Sequence, residues 1–424
     1  VTKLEVDSRG RVLQTLGHED PVQGRDIQLT IDLDVQELTE ESLARGLEAA
    51  RQAWDRDQLK HFIAPAGAVV VQDPRDGSVL AMASNPTFDP SSFVNGIEPG
   101  VFKQLQDPAG HFPLNNRAIQ GLYAPGSTFK LVTAMAGLRT GLIGAHTTID
   151  DKGELRVGNR TFRNAGRKVW GKVDVTRALS VSSDVFFYDL GYKFWLQKDR
   201  YPDGIQKVAR EMGLGQRSDI LLPSEREGRV PDPATRKRLH EKFPKAFPFG
   251  DWFGGDNVNL AIGQGEMVIT PLQLANLYST FANGGSLYRP RLAARSLDQA
   301  GEAVEDLGPV KRRLVDIPPN VRDPVLAGLR GVISNDEGTA HLAFGGFSGM
   351  SVAGKTGTAQ VLGKQDTAVF AAFAPVEAPR YTVAVVMEEG GFGGETAAPV
   401  ARRILSGLAG QPPGEITLGG GVVD

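Results

Sequence analysis

The sequence predicts an α+β fold in which the two ends of the chain close an antiparallel sheet around an inserted helical block. Three observations predict it. Apolar runs of β type occupy residues 67–72 and 78–83, joined by the turn signal Asp73-Pro-Arg-Asp-Gly77. Strands return only near the other end, at about 352–360, 367–374 and 381–387. From about 90 to 345 the pattern is helical and broken by long Gly- and Pro-rich loops. The two strands of the first hairpin are apolar at nearly successive positions, not alternate ones, so both faces of the sheet they enter need cover. Two lobes built this way meet in a cleft.

The elements follow in order. Residues 1–30 hold short β-type stretches with turns at Ser8-Arg9-Gly10 and Gln23-Gly24-Arg25. Asp32 or Asp34 caps a helix to about Trp54, with Val35, Leu38, Leu43, Leu47 and Ala50 on its apolar face. Pro125-Gly126 sets the entry turn of a helical stretch at 131–138, and Ser180 to Asp184 precede an aromatic helix at 185–190. Thr270 is an N-cap with Pro271 at the first helical position, and Asn283-Gly284-Gly285 ends that helix. Pro375 to Arg380 turn between the last two strands, and a final helix runs from about Thr396 to Leu408. The basic, Pro-rich stretch Arg229 to Lys245 reads as a solvated loop, with contact to glycan, lipid headgroups or a partner as the alternative. There is no internal repeat.

Composition narrows the function classes. With 424 residues, 41% apolar and 23% charged, the chain is an ordinary globular protein of one large domain or two to three smaller ones. A net charge of −3 gives no global drive toward nucleic acid or anionic lipid. The absence of cysteine excludes disulfides, thiol catalysis and thiolate metal sites. His61, His111, His146, His240 and His341 are scattered singly and read as surface or packing residues. No apolar run reaches the roughly 18 residues that a spanning helix needs. The chain starts at Val1 without a signal peptide, so the expectation is a fragment or processed form from which an N-terminal anchor could be missing.

Residues 349–358, GMSVAGKTGT, fit two incompatible chemistries. Gly349 to Thr356 match the phosphate-loop pattern G-x-x-x-x-G-K-[ST]. That loop needs a buried strand before it and a helix after it, so that N–H groups cradle phosphates. Upstream, residues 341–348 are Gly-rich and short; downstream, residues 357–364 carry two glycines and β-branched residues that disfavour a helix. Glu388 or Glu389, after an apolar run, could ligate a metal, but too little chain follows Lys355 for the βα units of a doubly wound sheet. The nucleotide reading fails on context.

The alternative is serine chemistry with Lys355 as one partner. Ser127 and Lys130, spaced i and i+3 at a helix start, share one face about a turn apart. A serine hydroxyl is a weak nucleophile, and a lysine activates it only after losing its proton, which burial or a neighbouring cation such as Lys355 promotes. Ser182 to Asp184 offer polar groups to bridge the two lysines, although the plainer reading of that cluster is helix capping.

Taken together, Ser127-x-x-Lys130, Ser182-Ser183-Asp184 and Lys355-Thr356-Gly357, in this order, resemble the class B penicillin-binding protein transpeptidases. Flanking stretches agree: residues 85–90, 116–127, 261–265 and 270–275. The similarity runs from about residue 5 to 409. The family's second motif is usually Ser-x-Asn, and Asp184 in place of the amide resembles the elongation-type members, called penicillin-binding protein 2. Residues 215–254 resemble that subgroup as well. A carboxylate there favours a charged Lys130 or Lys355, which works against a neutral base.

The resemblance implies a fold with a five-stranded antiparallel sheet flanked by helices, an all-helical lobe and the active-site cleft between them. Residues 1–30 would be the end of an N-terminal pedestal or linker, and 31–424 the transpeptidase domain, with the helical lobe at about 90–345. The implied reaction is cross-linking of peptidoglycan stem peptides at D-Ala–D-Ala, inhibited by β-lactams. Ser127 would attack with Lys130 as general base, and Ser182 would relay the proton to the departing D-Ala. The N–H groups of Ser127 and Thr358 would form the oxyanion hole, in a site that also includes Gly357. Lys355, Thr356 and Thr358 would bind the terminal carboxylate. No cofactor, metal or nucleic acid is implied. The implied partners are a SEDS-family glycosyltransferase and other elongation-complex proteins, and the catalytic domain is implied to face outward from the cytoplasmic membrane. A D,D-carboxypeptidase, a β-lactamase and a β-lactam sensor share these motifs and remain alternatives.

Overall fold

The computed structural model describes residues 1–20 and 23–418. Two compact units divide the chain. The smaller comprises residues 1–30 with 293–308. Within it, Thr2–Val6 pairs antiparallel with Val12–His18, and Asp26–Leu29 joins a three-stranded sheet with Ala293–Leu297 and Ala303–Asp306. The participation of residues 293–308 was not foreseen, because pairing across so long a separation leaves no local signal.

The larger unit is built on α1 (Leu33–Gln52) and five strands: β1 (Ala66–Gln72), β2 (Val79–Asn85), β3 (Ala353–Ala359), β4 (Thr367–Ala374) and β5 (Tyr381–Glu388). Asp32 caps α1 by accepting from the N–H groups of Asp34 and Val35. The order β3-β4-β5-β1-β2 is antiparallel throughout, so the strands contributed by the end of the chain dock onto the early hairpin, as expected. Both faces are covered. Val69, Val71, Phe370, Ala372 and Val385 pack into one apolar cluster with Leu43, Leu47 and Ile404. Val70, Ala371, Phe373 and Val386 pack into the other with Leu272, Leu277 and Phe281. Successive residues therefore serve opposite cores, which is why the runs carry no polar alternation.

Between β2 and β3 the chain is mainly helical. The segments that position the site are α2 (Lys130–Arg139), α3 (Val175–Ser180), α4 (Asp184–Leu196) and α5 (Pro271–Ala282). The lobe also carries short ribbons, Ile149–Asp151 with Gly171–Val173 and Glu154–Val157 with Arg160–Arg163. Every residue of α5 is buried, and Thr270 and Gln273 complete a reciprocal capping box at its start. The stretch Arg229 to Lys245 is not a loop: Pro233–Lys242 is a helix capped by Asp232. An Asp-Pro pair at N-cap and N1 is a helix start signal that outweighs the basic composition. No helix among the described residues is long and apolar enough to cross a membrane.

Candidate active site

Glycine brings the Ser127 turn against the sheet. Gly126–Phe129 form one 3₁₀ turn that runs into α2. Gly126 has φ +54°, and a Cβ there would lie 2.6 Å from the Thr358 carbonyl oxygen. Across the same seam a Cβ on Gly357 would lie 2.7 Å from the Pro125 carbonyl oxygen. Only glycine permits this approach. The turn is pinned by the Gly126 N–H donating to Gly263 O at 3.1 Å and the Tyr278 hydroxyl donating to Thr128 O at 3.0 Å. Ser127 itself is 7% exposed.

Lys130 begins α2 with no exposed surface. Its Nζ donates to the carbonyl oxygen of Ser182 at 2.8 Å and to Ser182 Oγ at 3.0 Å, and it lies 2.6 Å from Asp184 Oδ1. The ring of Phe187 packs beneath it, 5.5 Å from Nζ to centroid. These partners come from the bend between α3 and α4, where Ser182 adopts φ +58°. A left-handed serine is uncommon and costs backbone energy. Here it turns both oxygens of one residue onto the same Nζ.

What holds that bend is a buried network invisible to motif reading. Asp151 is fully buried and accepts from the Gly153 N–H at 2.8 Å, from Asn164 Nδ2 at 2.8 Å on both oxygens, and from Ser183 Oγ at 2.5 Å. Asn164 Oδ1 in turn accepts the Val185 N–H at 2.9 Å, and Ser183 Oγ caps α4 by accepting from Phe186 N at 3.2 Å. Ser183 is thus the cap expected for this cluster, while its neighbours Ser182 and Asp184 face Lys130.

The third motif lies on β3, the edge strand. Lys355 is fully buried, with Nζ 3.3 Å from both Thr356 O and Thr356 Oγ1, and Thr356 Oγ1 is 2.6 Å from Thr339 Oγ1. Thr358 Oγ1 accepts the Gly393 N–H at 3.4 Å, and Thr358 O accepts Gln264 Nε2 at 3.1 Å. In an antiparallel ladder a residue's N–H and C=O point to the same side. The Thr358 carbonyl is turned away from β4, so its N–H also points from the free edge, toward the Ser127 turn. Gly349 to Val352 form no helix or strand ahead of β3, and β4 follows after a short turn, so no helix stands where a phosphate loop requires one.

A profile of the penicillin binding protein transpeptidase domain matches residues 67–406. This chain belongs to the penicillin-binding transpeptidase family. The peptidoglycan D,D-transpeptidase MrdA of Salmonella typhimurium (strain SL1344) is 32% identical over 431 residues, covering 96% of this chain and 62% of that protein. The chain thus spans less than two thirds of that relative. Among solved structures, Pseudomonas aeruginosa PBP2 in complex with WCK 5153 superposes with a TM-score of 0.76 at 34% identity, covering 92% of this chain and 79% of that one. Helicobacter pylori PBP2, solved in complex with MreC, gives 0.74 at 28% identity, covering 96% and 68%.

Around the transpeptidase motifs lies a polar rim that sequence reasoning passed over. Glu388, at the end of β5, accepts from the Tyr123 hydroxyl at 2.8 Å and from Arg117 Nε at 3.1 Å. Burial, reinforced by the Glu388 carboxylate, pushes the Tyr123 phenol well above its usual range, so it stays a donor. Glu388 had entered only as a conceivable metal ligand and Arg117 only as part of a flanking stretch; no local pattern links them.

Farther along, burial pushes Asp366 up to about 6, helped by the neighbouring charges of Asp55 and Asp57. A folded value above the ordinary 3.8 of an aspartate means that the folded chain binds the extra proton between about pH 4 and 6. The stability linked to that proton is present below pH 4 and lost as pH rises through 6. Asp366→Asn is therefore expected to raise Tm at pH 7.5 by about a degree or two and to change it much less at pH 4, read from melts at the two pH values.

Proposed function

We propose that this transpeptidase domain cross-links peptidoglycan stem peptides through a Ser127 acyl-enzyme and is a target of β-lactams. The observation that carries the reading is the convergence of Lys130, Ser182 and Asp184 beside the Ser127 turn, with that turn seated against the edge strand bearing Lys355 to Thr358. Ser127 Oγ attacks the carbonyl of the D-Ala–D-Ala bond as Lys130 Nζ takes its proton. The C–N bond then breaks, and the proton passes through Ser182 to the departing D-Ala amine. A second peptide's amine finally displaces Ser127.

Lys130 must be neutral at the moment of attack. Asp184 Oδ1, 2.6 Å from Nζ, fixes where that nitrogen sits, beside the two Ser182 oxygens. The N–H groups of Ser127 and Thr358 receive the developing oxyanion, each such donor contributing about 3 kcal/mol in serine enzymes. Lys355, Thr356 and Thr358 hold the substrate's terminal carboxylate, with Gly357 between them allowing the close seam.

Similarity to MrdA and PBP2 supports an elongation-type role on the outer side of the cytoplasmic membrane. A SEDS-family glycosyltransferase and other elongation-complex proteins are the partners this reading assigns; the PBP2–MreC complex of Helicobacter pylori supports an assembly of that type. Residues 1–30 are assigned to the end of the pedestal, and the remainder to the transpeptidase domain.

A fluorescent penicillin tests the reading. The wild-type chain is expected to carry a stable label on a denaturing gel, and Ser127→Ala to carry none. An unlabelled wild type contradicts the reading; rapid loss of label assigns the chain to the hydrolases instead.

A further inference from the structure

Helix α4 begins at Asp184, beside Lys130, and ends at Leu196. At about 1.5 Å per residue, its far end lies roughly 16 Å along the axis from that contact. There a small cavity of about 60 Å³ opens between the last turn of α4, the helix Gly204–Glu211 and the approach to the helix Gly254–Ala261. Its wall is aromatic, made by Phe194, Trp195, Tyr201 and Trp252.

One polar side chain in that wall is unspent. Gln206 is 3% exposed and lines the cavity, and among the described residues its amide has no hydrogen-bond partner. The neighbouring Asn257 is committed: its Oδ1 accepts from Trp252 Nε1 at 3.0 Å and its Nδ2 donates to Gly191 O at 3.0 Å. A buried amide left without partners destabilises a fold, so Gln206 points to a group that enters and supplies them. At the mouth, Asp203 holds the N-cap position of the helix Gly204–Glu211 in a left-handed conformation, φ +51°, without capping it. Lys198 stands over the Trp195 ring, 5.2 Å from Nζ to centroid.

These features narrow the ligand. One water needs about 10–15 Å³ of such space, so the cavity admits a group of roughly four heavy atoms and no ring. Gln206 offers a carbonyl acceptor and N–H donors, the complement of another amide. The aromatic wall suits a methyl end, while the ammonium of Lys198 repels a cation that would otherwise suit such a cage. An acetamido group combines the amide and the methyl. Trp195 and Trp252 are only partly buried, which leaves indole surface beside the cavity for the flat apolar face of a pyranose. Asp203 and Lys198 are placed at the rim for its hydroxyls.

We propose that this cavity is a glycan subsite that takes the acetamido group of an N-acetylated amino sugar, with Gln206 as the residue that recognises it. Holding the glycan strand that carries the reacting peptide keeps that peptide close to Ser127. This use rests on the proposed function; the binding itself does not.

Calorimetric titration with three soluble probes tests the proposal: the tetramer of β-1,4-linked N-acetylglucosamine, the corresponding glucose tetramer, and N-acetylglycine amide, which carries the acetamido group on no sugar. The acetylated tetramer is expected to bind about tenfold more tightly than either of the others, and Gln206→Leu to bring it down to the level of the glucose tetramer. Leucine is of similar size and leaves no orphaned amide, so this variant is expected to fold, as a thermal melt reads directly. Trp195→Ala, at the rim, is expected to weaken the acetylated tetramer independently. No binding of the acetylated tetramer, equal binding of either other probe, or a preference that survives Gln206→Leu overturns the proposal. Penicillin labelling of the wild-type chain, run alongside, reads the Ser127 assignment separately, since titration requires no acylation.

Discussion

Lys130→Ala is expected to slow acylation by penicillin about 10³-fold, the scale of a general base lost from a serine enzyme. Among the described residues, its Nζ alone touches both oxygens of Ser182 and the carboxylate of Asp184. Lys130→Arg is expected to fail as well, because a guanidinium does not give up its proton. Asp184→Asn should retain measurable acylation, since an amide can still orient Nζ. Acylation rates followed by intact mass separate these outcomes. Loss of equal size in Asp184→Asn and Lys130→Ala would make the carboxylate indispensable.

Asp151→Ala is the second large effect expected. Removing this buried carboxylate strands the Gly153 N–H and the Ser183 hydroxyl and leaves Asn164 Nδ2 with only the Lys168 carbonyl, in a site water cannot readily reach. Bonds to a charged acceptor contribute about 1.5–3 kcal/mol each, and orphaned donors add a penalty. A stability loss of roughly 3 kcal/mol or more is expected in denaturant titration. Acylation should fall with it, because Ser183 anchors the bend that keeps Ser182 left-handed. Asp151→Asn keeps the shape and part of the bonding, so it is expected to recover stability and acylation together, at intermediate values. Acylation that stays at the wild-type rate in a folded Asp151→Ala chain would remove the network from the site.

The two variants also show what could be read from the chain and what could not. Ser127, Lys130, Asp184 and Lys355 sit in short motifs whose spacing carries chemistry, so a shared site is an expectation the sequence supports, and Lys130 does meet Ser182 and Asp184. The sheet was legible for a related reason: the strands at 66–72, 367–374 and 381–388 are apolar at most successive positions. Asp151 and Asn164 were silent because they act through Ser183, a residue far along the chain, from a Gly-punctuated ribbon that resembles any surface turn. The Arg117–Glu388–Tyr123 cluster was hidden in the same way. Pro125-Gly126 announced a turn, but the reason for glycine, the Thr358 carbonyl 2.6 Å from its missing Cβ, exists only in three dimensions. Pro233–Lys242 is a helix with the composition of a solvated loop, and its Asp-Pro start is the signal that separates the two.

The central claim is that Ser127 forms the covalent intermediate. Penicillin-treated wild-type chain, digested and mapped by mass spectrometry, tests it most directly. The predicted result is one added penicilloyl mass, on the peptide containing Ser127 and at that residue. An adduct on Ser182 or another residue, or none, would contradict the account.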